Sequence, residues 1–386
     1  MRLSVAGWVG AVLALVLTAG AARAQTEARF TAIEAGTFHA CGIVPGGGLR
    51  CWGANDWYQV GVGRVGDRRY PRPPRGARFS TIAVTGGENH SCAVTAAHRL
   101  RCWGRNVEGQ LGTGDVAANP VPGPVGGPRP RYVAIAAGMD HTCALTAAGI
   151  VRCWGANAQG ALGDGTTEPR NLPTLVTGLT GRQAQIGVGY QYSCALSRQG
   201  AVRCWGRNGN GRLGDGSVQS STVPVGVLGL QADVAGLSVG INHACAVDGA
   251  GQGWCWGGND LGQIGNGVIS SDPVTAPVMV EGLPAPVQAI EGGGGHSCAI
   301  AGAEGAVYCW GWNLMGQLGD GSTTDSATPV AVTGLPGAAV ALALGDLFSC
   351  ALLADQRAFC WGSNDRGQLG TGTTNASNVP QPVLMP

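Results

Sequence analysis

The tripeptide Cys-Trp-Gly occurs seven times in this chain, and its spacing constrains the fold more than any other feature. The seven tryptophans are Trp52, Trp103, Trp154, Trp205, Trp256, Trp310 and Trp361. A second cysteine precedes the cysteine of each tripeptide by ten or eleven residues, and these earlier cysteines recur at intervals of 51 to 53 residues. Self-similarity at a fixed period of this length indicates a repeat architecture such as a solenoid or a propeller.

Each repeat carries strand signals and no helical periodicity. In the second repeat, a short apolar run precedes Gly87, the segments HSCAV and LRCWG form a hairpin around the turn TAAHR, and an extended Pro-Val run follows at residues 121–125. Short apolar runs bounded by Gly, Asn and Pro favour β-strands. Gly supplies 68 residues, as expected for a chain with many tight turns. The sequence therefore predicts an all-β, seven-bladed β-propeller of four-stranded blades.

The hairpin places the two cysteines of a repeat opposite each other. If Cys92 faces Cys102, then Ser91 faces Trp103 and Ala93 faces Arg101. Facing residues on antiparallel strands have Cβ atoms about 4.5–5.5 Å apart, close to what a disulfide needs. The repeat uses all 14 cysteines. We predict the pairs Cys41–Cys51, Cys92–Cys102, Cys143–Cys153, Cys194–Cys204, Cys245–Cys255, Cys298–Cys309 and Cys350–Cys360.

The two ends of the repeat region resemble different strands of one unit. Residues 30–33 resemble the strand that begins each repeat, and residues 379–383 resemble the Pro-Val strand that elsewhere precedes it. We expect the ends to supply complementary parts of one blade, so that pairing of N- and C-terminal strands closes the ring. Closure removes exposed edge strands.

The first 24 residues differ from the rest. Arg2 is followed by an apolar stretch and then by Ala22-Arg23-Ala24, a pattern typical of a secretory signal peptide. An uncleaved membrane anchor is the alternative. We predict a signal peptide at 1–24, a single propeller of about 51-residue repeats at 25–386, a secreted or periplasmic location and no membrane insertion after cleavage. Disulfides fit an oxidising compartment.

The repeat resembles a known family. Residues 87–94 (GENHSCAV), 102–106 (CWGRN) and 109–112 (GQLG) are similar to the regulator-of-chromosome-condensation repeat, and the resemblance covers about residues 28–386. It implies a seven-bladed propeller closed by mixing its two ends. The eukaryotic namesake is a nuclear exchange factor for a small GTPase that binds chromatin, a role that a predicted export signal does not fit. Secreted bacterial relatives of the fold include a β-lactamase inhibitory protein, which binds through one face of the propeller.

One rim of such a ring is a candidate binding surface. The residues that follow each strand-ending Gly and those around each Asn after Trp-Gly collect at the same end of the blades. Their mixture of Trp, Tyr, Met and Arg suits an interface, whereas the opposite turns are mostly Ala, Gly, Thr and Pro. The alternative is that they are ordinary exposed loop residues. The predicted partner-binding rim comprises Phe38, Trp57, Tyr58, Arg105, Glu108, Met139, Asp140, Tyr190, Arg207, Ile241, Trp312, Met315, Leu347 and Arg366.

Two patterns invite metal sites but favour structural roles. His39, His90, His141, His243 and His296 share one register, which Tyr192 and Phe348 fill in the other two repeats. Each belongs to a different blade, whereas a zinc site needs three or four ligands around one ion, so we expect packing and a local hydrogen bond. Asp164, Asp215 and Asp320 each stand alone between glycines, which predicts turns rather than calcium loops.

The remaining observations favour binding over catalysis. The net charge is +1 and there is no run of basic residues, which argues against a nucleic-acid partner. Neither His-Glu-x-x-His nor a phosphate loop occurs. We predict a monomeric, exported, non-enzymatic scaffold without metal or cofactor, whose partner is an exported or surface protein or a glycan. The alternative is a carbohydrate-binding or glycan-cleaving propeller, a hydrolase or lyase, which a pocket holding two carboxylates with raised pKa would favour.

Overall fold

Seven four-stranded antiparallel sheets and one two-stranded sheet make up the computed structural model, which describes residues 25–230 and 233–386. Each four-stranded sheet is one blade, built from four consecutive strands paired in chain order. The all-β, seven-bladed prediction is confirmed. The predicted signal peptide at 1–24 lies outside the described residues. In the described part of the chain, no helix is long and apolar enough to cross a membrane.

The four strands of a blade run from the ring centre outwards. The inner strands are β2 (Ala32–Ala35), β6 (Thr81–Gly86), β10 (Tyr132–Ala137), β14 (Gln183–Val188), β18 (Gly236–Val239), β22 (Val287–Gly292) and β26 (Ala339–Leu344). The second strands are β3 (His39–Val44), β7 (His90–Thr95), β11 (His141–Thr146), β15 (Tyr192–Ser197), β19 (His243–Val247), β23 (His296–Ala301) and β27 (Phe348–Leu353). The third strands are β4 (Gly48–Gly53), β8 (Leu100–Gly104), β12 (Val151–Gly155), β16 (Val202–Gly206), β20 (Gly253–Asn259), β24 (Ala306–Gly311) and β28 (Ala358–Gly362). The outer strands are β5 (Arg68–Arg72), β9 (Asn119–Pro124), β13 (Arg170–Leu175), β17 (Ser221–Gly226), β21 (Ser270–Met279), β25 (Ser326–Ala331) and β29 (Ser377–Pro382).

The hydrophobic core lies between blades. In the hairpin of the second blade, Cys92 faces Cys102 and Ser91 faces Trp103, as predicted. All seven predicted disulfides are present. Because side chains alternate across a sheet, disulfide and Trp point to opposite neighbours. Trp103, fully buried, packs in one cluster with the Cys41–Cys51 bridge of the preceding blade. The other six clusters repeat this arrangement.

A ring of glycines surrounds the central axis at the end of the inner strands. A Cβ on any of these glycines would lie 2.3 to 2.8 Å from the carbonyl oxygen of the corresponding glycine in the next blade. The seventh closes onto the first, because Gly345 approaches the oxygen of Gly36. Only glycine permits this approach. The ring comprises Gly36, Gly87, Gly138, Gly189, Gly240, Gly293 and Gly345.

Ring closure differs from the expectation in one respect. The expectation that the two ends share a blade is wrong. Each Pro-Val strand is the outer strand of the blade whose hairpin precedes it in the chain. The last one, β29, therefore completes the seventh blade with β26, β27 and β28. The predicted pairing of N- and C-terminal strands is present in a separate two-stranded sheet of β1 (Thr26–Glu27) and β30 (Leu384–Met385). A bridge between Arg29 and Arg357 extends this contact.

Candidate partner-binding rim

All fourteen predicted rim residues lie at one end of the ring. Each belongs to a loop between an inner and a second strand or between a third and an outer strand, and antiparallel pairing places these loops on the same side. Every one of them is half-buried or exposed. Trp57 and Met315 are the most open large apolar ones, at 42% and 39% exposure. We call this set the rim.

Side-chain hydrogen bonds hold the rim loops in place. Asn106 accepts a hydrogen bond from the amide of Leu111 (2.9 Å) and donates to the carbonyl oxygen of Ala117 (3.0 Å). Gln110 accepts from the amide of Glu108 (3.0 Å). The Asn is present in all seven repeats: Asn55, Asn106, Asn157, Asn208, Asn259, Asn313 and Asn364. Hydrogen bonds within each rim loop therefore fix its conformation.

The histidine register joins neighbouring blades. His90 Nε2 lies 2.8 Å from Thr142 Oγ1 of the next blade, and that hydroxyl donates to the carbonyl oxygen of Gln110 (2.9 Å). Since the hydroxyl proton is already used, His90 Nε2 is the donor in this hydrogen bond. Trp154 donates to the same carbonyl oxygen (2.9 Å). Complete burial lowers the pKa of His90 to about 3. The structural interpretation of this register is confirmed.

The single aspartates between glycines also have a structural role. Asp164 accepts hydrogen bonds from the amide and the hydroxyl of Thr166 (2.9 and 2.7 Å). Asp215 and Asp320 hold Ser217 and Ser322 in the same way. The turn interpretation is confirmed.

Three rim residues from three blades form one contact chain. The Arg105 guanidinium lies 5.7 Å from the ring centroid of Trp57 and forms an ion pair with Asp140. Gln110 also donates to Asp140 (3.2 Å). Burial raises the pKa of the Asp140 carboxyl, although Arg105 opposes the shift. This arrangement combines a partly exposed aromatic ring with a positioned cation, a combination frequent at protein interfaces.

A second cluster surrounds Tyr190. The guanidinium groups of Arg207 and Arg212 lie 5.0 and 5.9 Å from its ring centroid. Arg212 is 2% exposed and donates to Asn242 Oδ1 (2.8 Å). Burial lowers its pKa, and no carboxylate among the described residues pairs with Arg207 or Arg212. Arg212 is not among the predicted rim residues, although it stands where five other repeats have Gln.

The other predicted rim residues are dispersed. Met139 and Ile241, with Tyr190, line a cavity of about 110 Å³ at the funnel mouth. Arg366 pairs with Asp56 and Asp67 of the first blade. Trp312 lies apart, beside Gly295. The structure does not bring the remaining rim residues into either cluster: Phe38, Tyr58, Glu108, Met315 and Leu347.

Two carboxylates of the inner strands bear on the enzyme alternative. Burial raises the pKa of Glu34 to about 8, with a further contribution from the charge of Glu291, and burial raises the pKa of Glu291 itself to about 7. The Glu34 side chain is nevertheless exposed to water, so the desolvation that raises its pKa is incomplete. The cavity at the funnel mouth reaches neither carboxylate, and a cavity of about 430 Å³ on the opposite side reaches Glu291 alone. Ligand pockets are usually about 300–1,000 Å³, so the two groups do not share a described pocket of that size.

Residues 236–240 read Gly-Leu-Ser-Val-Gly, a pattern also found around catalytic serines. Here the segment lies in β18, whereas a nucleophile elbow is a sharp turn between strand and helix. Ser238 donates to Glu291 (2.6 Å) and accepts from the amide of Gly292 (3.0 Å). It thus joins two inner strands.

The four-stranded blades define the chain as a seven-bladed β-propeller. The family model described as RCC1-like domain matches residues 128–386, and the model of the regulator of chromosome condensation (RCC1) repeat matches 47–94 and 99–145. The chain belongs to this family. Solved structures with the same fold include Prp20p from Saccharomyces cerevisiae, described with its binding properties to Gsp1p and histones (TM-score 0.76, 23% identity, 87% of this chain and 85% of that one). Human WBSCR16 is similar too (TM-score 0.76, 22% identity, 87% and 94%).

Two curated relatives differ in how much of their own length this chain covers. The E3 ubiquitin-protein ligase HERC2 of Homo sapiens is 32% identical over 343 residues, which are 86% of this chain but 7% of HERC2. The ultraviolet-B receptor UVR8 of Arabidopsis thaliana is 31% identical over 321 residues, 81% of this chain and 71% of UVR8. This chain thus corresponds to a small part of HERC2 and to most of UVR8.

Proposed function

We propose that this protein is an exported, non-enzymatic scaffold that recognises a protein partner through the rim. The observation that carries the proposal is the pair of Arg–aromatic clusters, Trp57 with Arg105 and Tyr190 with Arg207. Both lie on loops that side-chain hydrogen bonds hold in place. Rigid Trp, Tyr and Arg side chains lose little conformational entropy on binding and dominate the energetics of many interfaces.

The predicted signal peptide and the seven disulfides support export, because disulfides persist in oxidising compartments. An exported or surface protein is accordingly the proposed partner, and a glycan is the next choice. The family supports protein binding in general terms, since Prp20p is described with protein partners.

The test begins with cross-linking and recovery of bound proteins from the envelope and medium of the producing cell. The recovered partner is then purified and its affinity measured for wild type and for the triple variant Trp57→Ala, Arg207→Ala, Met315→Ala. We expect binding to weaken by several kcal/mol, on the order of 3, because such side chains carry most of an interface's energy. The melting temperature should change little, since all three side chains are at least partly open to solvent.

The matched control is Ala97→Gln with Ala148→Gln, in exposed turns at the other end of the ring. It should leave affinity unchanged. Loss of binding in the control, with full binding in the triple variant, would place the functional face at the opposite end.

A glycan-cleaving enzyme is the second candidate: the pKa values of Glu34 and Glu291 are raised, as such an enzyme needs, but the two carboxylates share no described pocket of ligand size. Release of reducing ends from a polysaccharide panel, abolished by Glu34→Gln or Glu291→Gln, would establish it. No release by wild type would remove it.

A further inference from the structure

An arginine-rich surface runs along the outer side of the first blade. All 24 basic residues of the chain are arginines, and six of them fall within residues 64–78. They flank and include the outer strand β5, and five of them are exposed. We call this set the arginine patch: Arg64, Arg68, Arg69, Arg72, Arg75 and Arg78. Sequence analysis overlooked it because the arginines are spaced rather than contiguous.

The patch surrounds an open cavity of about 1100 Å³. Every member except Arg78 contributes to its wall, together with Tyr70 and Asp67. The cavity is large enough for several residues of an extended peptide.

The positive charge of the patch is not neutralised within the described residues. Asp67, the acidic residue in the cavity wall, is already engaged by Arg366, whose nitrogens lie 2.6 and 3.1 Å from its two oxygens. No ion pair of the described residues involves a patch arginine.

Arg68 adds an independent observation. Its Nη1 donates to the carbonyl oxygens of Gly66 (2.6 Å) and Asp67 (2.9 Å), whereas its Nη2, buried from water, has no partner. Partial burial, together with the charges of Arg64 and Arg72, lowers the pKa of this guanidinium. An anion bound in the cavity would relieve the repulsion among these guanidinium groups.

The form of the surface indicates what kind of anion fits. Pro71, Pro73 and Pro74 lack amide protons, so this edge is poorly suited to pairing with an added strand, and recognition must come from side chains. The whole chain carries only +1, so the protein outside the patch is net negative and repels a long polyanion. Alternate residues of an extended chain are about 6.6–6.8 Å apart, so Arg68 and Arg72, four residues apart in β5, are separated by two such steps. Carboxylates at every second position of an extended peptide include pairs with this separation.

We propose that the arginine patch binds a short Asp/Glu-rich segment of a protein partner. Each carboxylate can receive two parallel hydrogen bonds from a guanidinium, a geometry that lysine would not provide. Arg64 shares a loop with Trp57 and Tyr58, but the other patch arginines lie in or after β5. None of them is among the fourteen rim residues, so the inference does not depend on the proposed rim function.

The test measures anisotropy of a labelled Glu-Ala repeat peptide of about eight residues, with a Gln-Ala peptide of the same length as the uncharged probe. Wild type should bind the Glu peptide and not the Gln peptide, and affinity should fall between about 50 and 200 mM NaCl. Arg72→Ser with Arg75→Ser should weaken binding about tenfold or more, because two charge-assisted contacts are lost.

The matched control removes the same charge elsewhere. Arg182→Ser with Arg198→Ser, both exposed, should change affinity less than about twofold, since screened distant charges contribute little. Equal losses in both variants, or no peptide binding by wild type at millimolar concentration, would overturn the proposal. Tighter binding of heparin or of phosphatidic-acid vesicles through the same arginines would overturn the assignment to a peptide. Unchanged melting temperatures exclude misfolding as the cause.

Discussion

At the scale of single residues, the acceptor in the next blade decides which side chain fills the histidine register. Each of the five histidines faces a Ser or Thr hydroxyl, at 2.7 to 2.9 Å. Where the next blade offers Ala instead, the register holds an aromatic ring: Tyr192 before Ala244 and Phe348 before Ala40. Tyr192 donates to the backbone oxygen of His243 (2.6 Å) instead. The residue types at two positions 52 to 54 residues apart, or across the ring closure for Phe348 and Ala40, are therefore physically coupled.

This coupling predicts non-additive mutations. His141→Phe or Ser193→Ala alone should each destabilise the fold by about 1–3 kcal/mol, because a buried polar group loses its partner. The double variant reproduces the Phe348–Ala40 pairing and should cost clearly less than the sum of the two. Urea unfolding of the four proteins in a double-mutant cycle measures the difference. Simple additivity would show that the two side chains do not interact.

The same histidines predict acid sensitivity. Burial holds the pKa of His141 at about 4, below its unfolded value of 6.5. Between these values the unfolded state binds more protons, so the histidine's contribution is intact above pH 6.5 and is lost as pH falls through about 4. As the pH falls from 6.5 to about 4, the free energy of unfolding of the wild type should fall more steeply than that of His141→Phe/Ser193→Ala. The difference between the two slopes should correspond to about one bound proton. Glu34 and Glu291, whose raised pKa values act oppositely, are common to both proteins and cancel. Parallel curves would contradict the assignment.

At the scale of elements, the hairpin was predictable and its surroundings were not. Facing cysteines and small neighbours for Trp103 are local patterns, and they define the register of β7 against β8. The bulge after each Trp is less visible: Gly104 has φ +108°, and a Cβ there would meet the Asn89 oxygen at 2.6 Å. The sequence also did not reveal that each Pro-Val strand belongs to the preceding blade. A long loop joins this outer strand to the third strand, and no residue pattern at the ends of the loop indicates which residues of the two strands pair.

Each disulfide should act on its own hairpin. Cys143→Ala with Cys153→Ala opens a short loop whose ends are ten residues apart, and should destabilise the protein by about 2–3 kcal/mol. The blade should persist, because the strand hydrogen bonds remain, so far-ultraviolet circular dichroism should be nearly unchanged. Peptide mapping without reduction should find pairs within hairpins only. Bridges between blades would contradict the hairpin assignment.

At the scale of the whole molecule, sequence analysis placed the rim loops on one face but could not place their side chains against one another. Trp57, Arg105 and Asp140 belong to three successive blades, so their contact depends on how blades stack. The arginine patch differs: its members are close in sequence, but its proposed role depends on the absence of neutralising partners among the described residues. The residue pattern within one repeat predicts the propeller. The side-chain contacts on its surface depend on how neighbouring repeats pack together.

The seam between the seventh and the first blade holds several kinds of contact at once. Trp52 donates to the carbonyl oxygen of Gln368 (2.9 Å), Arg366 pairs with Asp67, and β1 pairs with β30. The hydrogen bond from Trp to a backbone oxygen of the preceding blade recurs between other blades. The pairing of β1 with β30 is specific to the seam.

Deleting residues 377–386 removes β29 and β30, which leaves β28 as an unpaired edge and frees β1. Because every blade is buried against two neighbours, opening the seam exposes apolar surface on both sides, and we expect a broad loss of stability, with the melting temperature lowered by on the order of 5 °C or more. Deleting only residues 384–386 removes the β1–β30 pairing and keeps the seventh blade, so it should produce a smaller shift. Differential scanning calorimetry of the three proteins distinguishes these contributions. If the longer deletion melted within about a degree of the intact chain, the C-terminal strands would not contribute to closing the ring.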